Sequence, residues 1–341
     1  MEAAKKKKAT MSDIAKDVGV SKNSVSLALR GLNGVSDDLR KKISDKAEEL
    51  GYGKLNHSGD GRDSCIAVLI PEYLHEDIFF YSEVIWEIEN EAKNRGCSAL
   101  RVRVTKEMEA SLTPPAMPRG FNLAGVLIIG VFSIEYAEML KRTHSPLCAV
   151  DISYGGLPYV GSSNFDGGVA AVKALIERGH REIGFIGPIY SATSVYERWC
   201  GFNTALRESG IENDGRYDVT GSRGFMLFDS EESLRPYLAG IKKFPTAWFC
   251  AGDRIAIAMI HFLTKMNVKV PDDVSIIGFD DILAAQMVLP QLTTIRTDRK
   301  LMGRLAVDYF FALKQNEDMK YVSRIIPYEL VWRSSVKKIG V

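Results

Sequence analysis

No stretch of this chain approaches the roughly 18 consecutive apolar residues that a membrane-spanning helix requires, so no membrane partner is expected. Cysteine is sparse. Cys65, Cys97, Cys148, Cys200 and Cys250 are scattered, odd in number and mostly set in apolar runs. They fit buried thiols of a reducing compartment and argue against a disulfide frame. None forms a Cys-x-x-Cys pair, so a structural zinc site is not expected. Catalytic signatures are missing too. The chain has no Gly-x-Ser-x-Gly elbow, no phosphate loop with Gly-Lys-Ser/Thr, no Gly-x-Gly-x-x-Gly and no His-Glu-x-x-His, so neither an enzyme nor a cofactor is expected. The histidines (His57, His75, His144, His180 and His261) lie far apart, and a surface or turn position is the default for each.

What is present is a chain of 341 residues, 46% hydrophobic and 26% charged, enough for a small domain and a large one with a real core. Its net charge of +1 is unevenly spread: residues 1–62 carry 13 Lys/Arg against 9 Asp/Glu, and the remainder 31 against 34. A basic front end on a slightly acidic body suggests an anionic partner for the front. The run Lys5–Lys8 supplies the excess and fits either a solvated tail or a phosphate-contacting arm. After it comes Ala-Thr-Met-Ser-Asp, not an apolar stretch, so the expected location is cytoplasmic and nucleoid-associated.

Three short helices are punctuated clearly in the first sixty residues. Thr10 can cap the first, with Asp13 closing a capping box, and Gly19 ends it. Ser21 can cap the second, which runs to about Arg30 before Gly31. Ser36 can cap the third, with Asp37 and Asp38 at the positive end of its dipole. On the second helix, Val25, Ala28 and Leu29 share a stripe that should pack on Ile14, Ala15, Val18, Val20 and Ile43. Lys22, Asn23, Ser26, Leu27 and Arg30 then point the other way. Such a face suits the major groove, where Asn reads adenine, Lys reads guanine and an apolar tip touches a thymine methyl. A three-helix bundle with a solvated polar face fits the same pattern.

The stretch from Thr10 to Gly31, with Val35-Ser36 and Ala47-Glu-Glu-Leu-Gly-Tyr52, resembles the headpiece of the lactose/galactose-repressor family. The resemblance implies a double-stranded DNA operator as partner. It places Thr10, Ser21, Lys22, Asn23, Ser26, Leu27 and Arg30 at the DNA face, with Lys22 and Asn23 at base-contact positions. Leu27 stands where the family often holds arginine. A second departure follows Tyr52. The family's Pro-Asn pair and hinge-helix Ala and Leu are replaced by Gly53–Asp63, a shorter segment with three glycines. Glycine disfavours a helix interior by about 1 kcal/mol each, so a flexible linker with little minor-groove wedging is expected here.

Beyond Asp63 short apolar runs alternate with amphipathic stretches. Ile66–Ile70, Leu100–Val104, Gly125–Ile129, Leu147–Val150, Glu182–Ile186, Ala247–Cys250 and Val274–Ile277 fit buried parallel strands. Tyr81–Arg95, Gly167–Arg178, Glu197–Ser209, Glu231–Lys242, Asp253–Met266 and Lys300–Lys314 fit helices between them. The fold class expected is α/β: an all-α headpiece plus two doubly wound lobes, with a ligand cleft at the carboxyl ends of the strands. Glu72, Tyr73, Asp77, Phe79, Phe80 and Tyr81 follow the first strand; Asp151, Gly252-Asp253 and Asp280-Asp281 end others, and Arg198 opens a helix. Carboxylates, a guanidinium and aromatic rings converging on a cleft suit a sugar. Capping of the following helix is an equal alternative for Asp253 and Asp281, and core burial suits Phe79 better by composition.

The blocks Val160-Gly-Ser-Ser-Asn-Phe-Asp-Gly, Arg178-Gly-His-Arg-Glu-Ile, Arg198-Trp-Cys-Gly-Phe, Pro271–Asp281, Pro290-Gln-Leu-Thr-Thr-Ile and Leu330-Val-Trp-Arg-Ser-Ser resemble the same family's sensor core, in order. The resemblance implies a periplasmic-binding-protein-like body, three chain crossings between lobes, a homodimer, and an effector cleft lined by Asp151, Arg198, Gly252, Asp253 and Asp280. Glu72, Tyr73, Phe79, Phe80 and Phe225 complete the effector-binding candidates. Gly252 replaces the family's usual Asn, which removes one hydroxyl partner. The expected layout is a headpiece at 1–52, a hinge at 53–63, an N-terminal lobe from 64–160 with 291–323, and a C-terminal lobe from 161–290 with 324–341. The reading is a repressor whose operator affinity answers to a sugar-like effector. Its rivals are a sugar-modifying enzyme carrying a headpiece, and a sugar-transport receptor.

Overall fold

The computed structural model describes residues 10–29, 34–49, 64–74, 79–117, 122–144, 146–221, 228–316 and 323–340. The Lys5–Lys8 run, Arg30, the 53–63 hinge, Asp77 and Phe225 lie outside the described residues. Two compact units are present, residues 1–62 and residues 63–341.

The first unit holds helices α1 (Met11–Val18), α2 (Lys22–Leu29) and α3 (Asp37–Glu49). Thr10 and Asp13 form the reciprocal capping box, and Gly19 takes the left-handed conformation (φ 73°) that only glycine adopts without strain. Ser21 accepts the Ser24 amide at 3.0 Å. Ile14, Val25 and Ile43 are fully buried, one from each helix, around Ala15, Ala28 and Ala47. Full burial of such side chains contributes about 1.5–3 kcal/mol apiece, which is what so small a unit depends on. Arg40 adds a tie by donating to the Ala28 carbonyl at 3.0 Å, capping the last turn of α2 from α3.

The second unit contains two six-stranded sheets. One has β1 (Ser64–Pro71), β2 (Ser98–Val104), β3 (Asn122–Ile129), β4 (Leu147–Val150), β5 (Tyr159–Ser162) and β11 (Ser323–Ile326), in the order β11-β5-β4-β3-β1-β2. The other has β6 (Ile183–Ile186), β7 (Asp218–Val219), β8 (Ala247–Cys250), β9 (Ser275–Asp280), β10 (Thr293–Thr297) and β12 (Tyr328–Val331), in the order β12-β10-β9-β8-β6-β7. All pairs are parallel except β10 with β12. The central strands are buried on both faces, as continuous Val/Ile/Leu runs require.

Helices flank both sheets: α4 (Tyr81–Asn94), α5 (Lys106–Ala110) and α6 (Ile134–Thr143) in the first lobe, α7 (Asn164–Glu177), α8 (Thr193–Glu208), α9 (Glu231–Leu238), α10 (Asp253–Lys265) and α11 (Leu283–Met287) in the second. Helix α12 (Arg299–Gln315) returns to the first lobe, where Met302, Ala306, Val307 and Phe310 join its core.

Three sequence-based boundaries shift. β5 stays in the first sheet, so the first crossing follows Ser162, not 160. β10 pairs with β9 in the second sheet, and β11 pairs with β5 in the first. The second and third crossings therefore fall at Asp298 and Pro327, not at 290/291 and 323/324. Helix α8 also begins earlier than expected, at Thr193, so Arg198 lies inside it rather than at its start. His180 is buried, with Thr246 Oγ1 at 3.0 Å and the Lys337 carbonyl at 3.2 Å, so it is neither a surface nor a loose turn residue.

Glycine sets the crossing of α7 and α8. A Cβ on Gly168 would lie 2.6 Å from the Arg198 carbonyl, and one on Gly201 would press on the Phe165 carbonyl. This close approach positions the helix that carries Arg198. Gly201→Ala should therefore destabilise the second unit by about 1–3 kcal/mol through overpacking, despite alanine's better helix propensity. A urea midpoint equal to or above that of the parent chain would contradict the close-packing account.

Candidate functional site

Two places in the chain gather polar groups on a rigid frame. The first is the outer face of α2. Its inner stripe, Val25 and Ala28, is packed into the headpiece core. Lys22 and Asn23 are exposed, and Ser26 and Leu27 are half-buried. Leu27 leans toward the Gly34 turn, with its Cδ1 3.6 Å from where a glycine Cβ would stand. Thr10 and Ser21 are exposed but engaged as caps: Thr10 donates to Asp13, and Ser21 meets the Ser24 hydroxyl at 2.9 Å. The face offers an ammonium, an amide, a hydroxyl and an apolar tip. That set matches donors, acceptors and thymine methyls along a major groove.

The second place lies where the carboxyl ends of both sheets face each other. A cavity of about 190 Å³ opens between the lobes. Asp151 follows β4 in a left-handed conformation (φ 70°), and Tyr81 at the start of α4 donates to it at 2.7 Å. Tyr159 donates to the Asp151 carbonyl at 3.0 Å. Across the cavity, Arg198 stacks on Phe279, its guanidinium carbon 3.8 Å from the ring centre. Its Nε donates to Asn164 at 3.0 Å, Nη1 to the Ala251 carbonyl at 2.5 Å, and Nη2 lies 3.1 Å from Asp280 Oδ1. Asn164 in turn donates to Glu197 at 3.0 Å. Burial pushes the Asp280 carboxyl up to about 6, and Asp151 adds to the rise, against the opposing pull of Arg198 and Arg299.

Tyr73, Phe80, Asp151, Arg198, Gly252 and Asp280 are brought together around this cavity. Glu72 is not among them; its carboxylate accepts the Lys106 amide at 3.2 Å. Phe79 is 37% exposed, so it is not a core residue, and it lines a neighbouring hollow with its ring over Arg254. Asp253 is wholly buried and turned inward. It accepts the Ile282 amide at 2.9 Å and the Thr294 hydroxyl at 2.5 Å, so it braces the turn that follows β9 and does not reach the cavity. Polar lining residues that the sequence did not single out as site residues include Tyr81, Ser191, Ser194, Asp229 and Arg254. Arg254 and Asp229 form an ion pair, and nothing in their local sequence pattern marks them as meeting.

Residues 10–54 match the family model of bacterial regulatory proteins of the lacI family, and residues 172–336 match a periplasmic binding protein-like domain. The repressor CytR of Escherichia coli K12 is 30% identical over 339 residues, covering 97% of this chain and 97% of CytR. The chain belongs to the lacI family. The repressor PurR of Mannheimia succiniciproducens is 27% identical over 336 residues, covering 97% of this chain and all of PurR. Among solved structures, the Lac repressor dimer bound to operator and the anti-inducer ONPF superposes with a TM-score of 0.68 at 22% identity, over 97% of this chain and all of that one. The CelR–cellobiose complex gives 0.66 at 23% identity, over 96% and 99%. The headpiece of this lacI-family chain is thus its DNA-binding helix-turn-helix, joined to a two-lobed body like a periplasmic binding protein.

The Asp280 environment sets a pH dependence. Its carboxyl is raised in the fold from 3.8 to about 6, so the folded state holds the proton more tightly than the unfolded one. The associated stability is complete below pH about 4 and is lost as pH rises through about 6. Between pH about 4 and 7 the parent chain should lose about 1–3 kcal/mol more stability than Asp280→Asn, as followed by urea unfolding. Parallel pH profiles for the two proteins would refute the buried-carboxyl assignment.

Proposed function

We propose that this chain is an operator-binding transcription repressor whose DNA affinity is set by a small uncharged polyhydroxy ligand, a sugar or sugar derivative, held between the two lobes. The observation that carries the DNA half is the two-sided character of α2: one stripe fills the headpiece core while Lys22, Asn23, Ser26 and Leu27 stand on the other face. Lys22 and Asn23 read base edges.

The ligand class follows from the cavity's charges. Asp151, Asp229 and Asp280 line it, against Arg198 and Arg254, and each arginine already contacts one of those acids. A phosphate would meet an acidic lining whose cations are engaged. Vicinal hydroxyls instead donate to the carboxylates, while Phe80 and Tyr73 cover an apolar ring face. Solved relatives of the fold support this class, described as holding cellobiose, ribose and glucose. Gly252, where a larger amide would narrow the space, shapes the pocket toward a different polyol from those taken by family members with Asn. A sugar-modifying enzyme finds no support, since the full-length curated relatives are named as repressors.

Control follows from linkage. A ligand shifts DNA affinity only by its differential affinity for two arrangements of the lobes. A homodimer suits a palindromic operator, because two-fold protein symmetry mirrors the site.

The test has two arms. Lys22→Ala and Asn23→Ala should each weaken specific operator binding by about 1–3 kcal/mol, with little change in non-specific binding, measured by fluorescence anisotropy on operator and scrambled duplexes. A thermal-shift screen of sugars, sugar phosphates and nucleobases should return an unphosphorylated sugar, and Arg198→Ala should abolish that shift while preserving operator affinity. Equal losses on both duplexes would end the base-reading assignment. A sugar phosphate as the hit, or an Arg198→Ala protein that responds normally, would end the ligand assignment.

A further inference from the structure

Arg299 is the first residue of α12, immediately after the second crossing returns the chain to the first lobe. Its side chain is only 12% exposed, and all three nitrogens of the guanidinium are engaged. Nε donates to Glu83 Oε2 at 2.6 Å. Nη1 donates to the Asp280 carbonyl at 2.5 Å, and Nη2 to the Asp281 carbonyl at 3.2 Å. Glu83 lies in the first turn of α4, in the first lobe and two residues beyond Tyr81. Asp280 ends β9, in the second lobe, and Asp281 follows it.

The turn they form is strained. Asp280 has φ 109° and Asp281 φ 52°, so two successive non-glycine residues sit in left-handed territory. Each such residue costs about 1–3 kcal/mol and persists only where its surroundings hold it. The holders here come from both lobes. Within the second lobe, Asp253 accepts the Ile282 amide, and Arg296 and Arg333 bind the Asp281 carboxylate at 2.7 and 2.6 Å. From the first lobe comes Arg299.

We propose that Arg299 is a positioning residue that pins the two lobes: oriented by Glu83, its fork captures both carbonyls of the strained turn that carries the cleft acid Asp280. The pin stands on these contacts alone. Its bearing on a ligand rests on the reading of the cleft as the effector site, since a molecule bound to the Asp280 carboxylate acts on the same turn whose backbone Arg299 holds. Any change in the angle between the lobes must then break or reset the two charge-assisted hydrogen bonds from Arg299 to the Asp280 and Asp281 carbonyls. Lysine is no substitute, because a single ammonium on a flexible stem does not span Glu83 and two carbonyls in a fixed plane.

Amide hydrogen exchange on the intact protein, with neither ligand nor DNA, tests the pin. The reporters are the Ile282 amide, bonded to Asp253 at 2.9 Å, and the Ala285 amide, bonded to the Ile282 carbonyl at 2.9 Å. Arg299→Met should speed exchange at both by about tenfold or more, the loss expected for charge-assisted bonds. Arg299→Lys should do nearly the same, because the fork and not the charge is required. Glu83→Ala, a change confined to the first lobe, should speed the same second-lobe amides several-fold, and the Arg299→Met/Glu83→Ala pair should be no faster than Arg299→Met alone. Amides at the centre of the first sheet, such as Val126, should keep parental rates in every variant. Parental exchange at Ile282 and Ala285 in Arg299→Met, full rescue by lysine, silence of Glu83→Ala at those amides, or equal acceleration at Val126 would each overturn the pin. These outcomes leave the repressor reading untouched, just as failure of the operator or sugar assays leaves the pin untouched.

Discussion

The two-lobed body depends on one buried guanidinium. Arg198 rises from α8, rests on the Phe279 ring, and binds Asn164 at the start of α7, the Ala251 carbonyl after β8 and Asp280 at the end of β9. Four elements of the second lobe are thereby referred to one planar group. Such a cation is tolerable away from water only when its donors are engaged and its charge is balanced. Asp280 balances it, and burial raises that acid's affinity for a proton. Truncating Arg198 thus does more than remove a ligand contact. It leaves a buried carboxylate facing Asp151 with less positive charge nearby, which explains why the site is built as a unit.

The two functional places obey opposite electrostatic rules. The outer face of α2 is open, with Lys22 and Asn23 exposed to water, so the energetics of the DNA contact proposed for it answer to salt. The cavity between the lobes is partly open, yet its charges are already paired or hydrogen-bonded within the protein, so its energetics answer more to shape and to the acceptors left over than to salt. The chain's formal charge, +1 overall, conceals this division because the basic front and acidic body nearly cancel.

Much of this was legible in the sequence, and the reasons it was legible also explain what was not. Capping chemistry is local, so Thr10, Asp13, Gly19 and Ser21 mark their helices in the sequence itself. Double-sided burial makes central strands continuous apolar runs, so β1, β3, β8 and β9 stood out. By contrast β10 reads Thr-Thr-Ile-Arg-Thr and β11 reads Ser-Arg-Ile-Ile, short segments whose sheet membership depends on distant partners, and the lobe boundaries drawn through them moved. Side-chain direction was the other blind spot. Asp253, next to Gly252, turns inward to Thr294 and Ile282, whereas Asp280 reaches the cavity. Glu72 and Phe79 flank cavity residues in sequence yet face elsewhere, because the chain turns sharply after β1 and no periodicity governs such a turn.

The crossing region bears directly on the change in lobe arrangement proposed above. It is rich in buried charge rather than apolar contact: Asp281, with its carboxylate 4% exposed, holds Arg296 and Arg333, while Arg299 takes its carbonyl. Charge clusters of this kind add little net stability, because desolvation offsets much of the attraction. They do impose geometry, since each guanidinium satisfies its acceptors in only a few orientations. An apolar seam would slide under small forces and return by degrees. A network of forks either keeps its partners or exchanges them, and a switch needs that discreteness if a ligand in the cleft is to be felt at the headpiece.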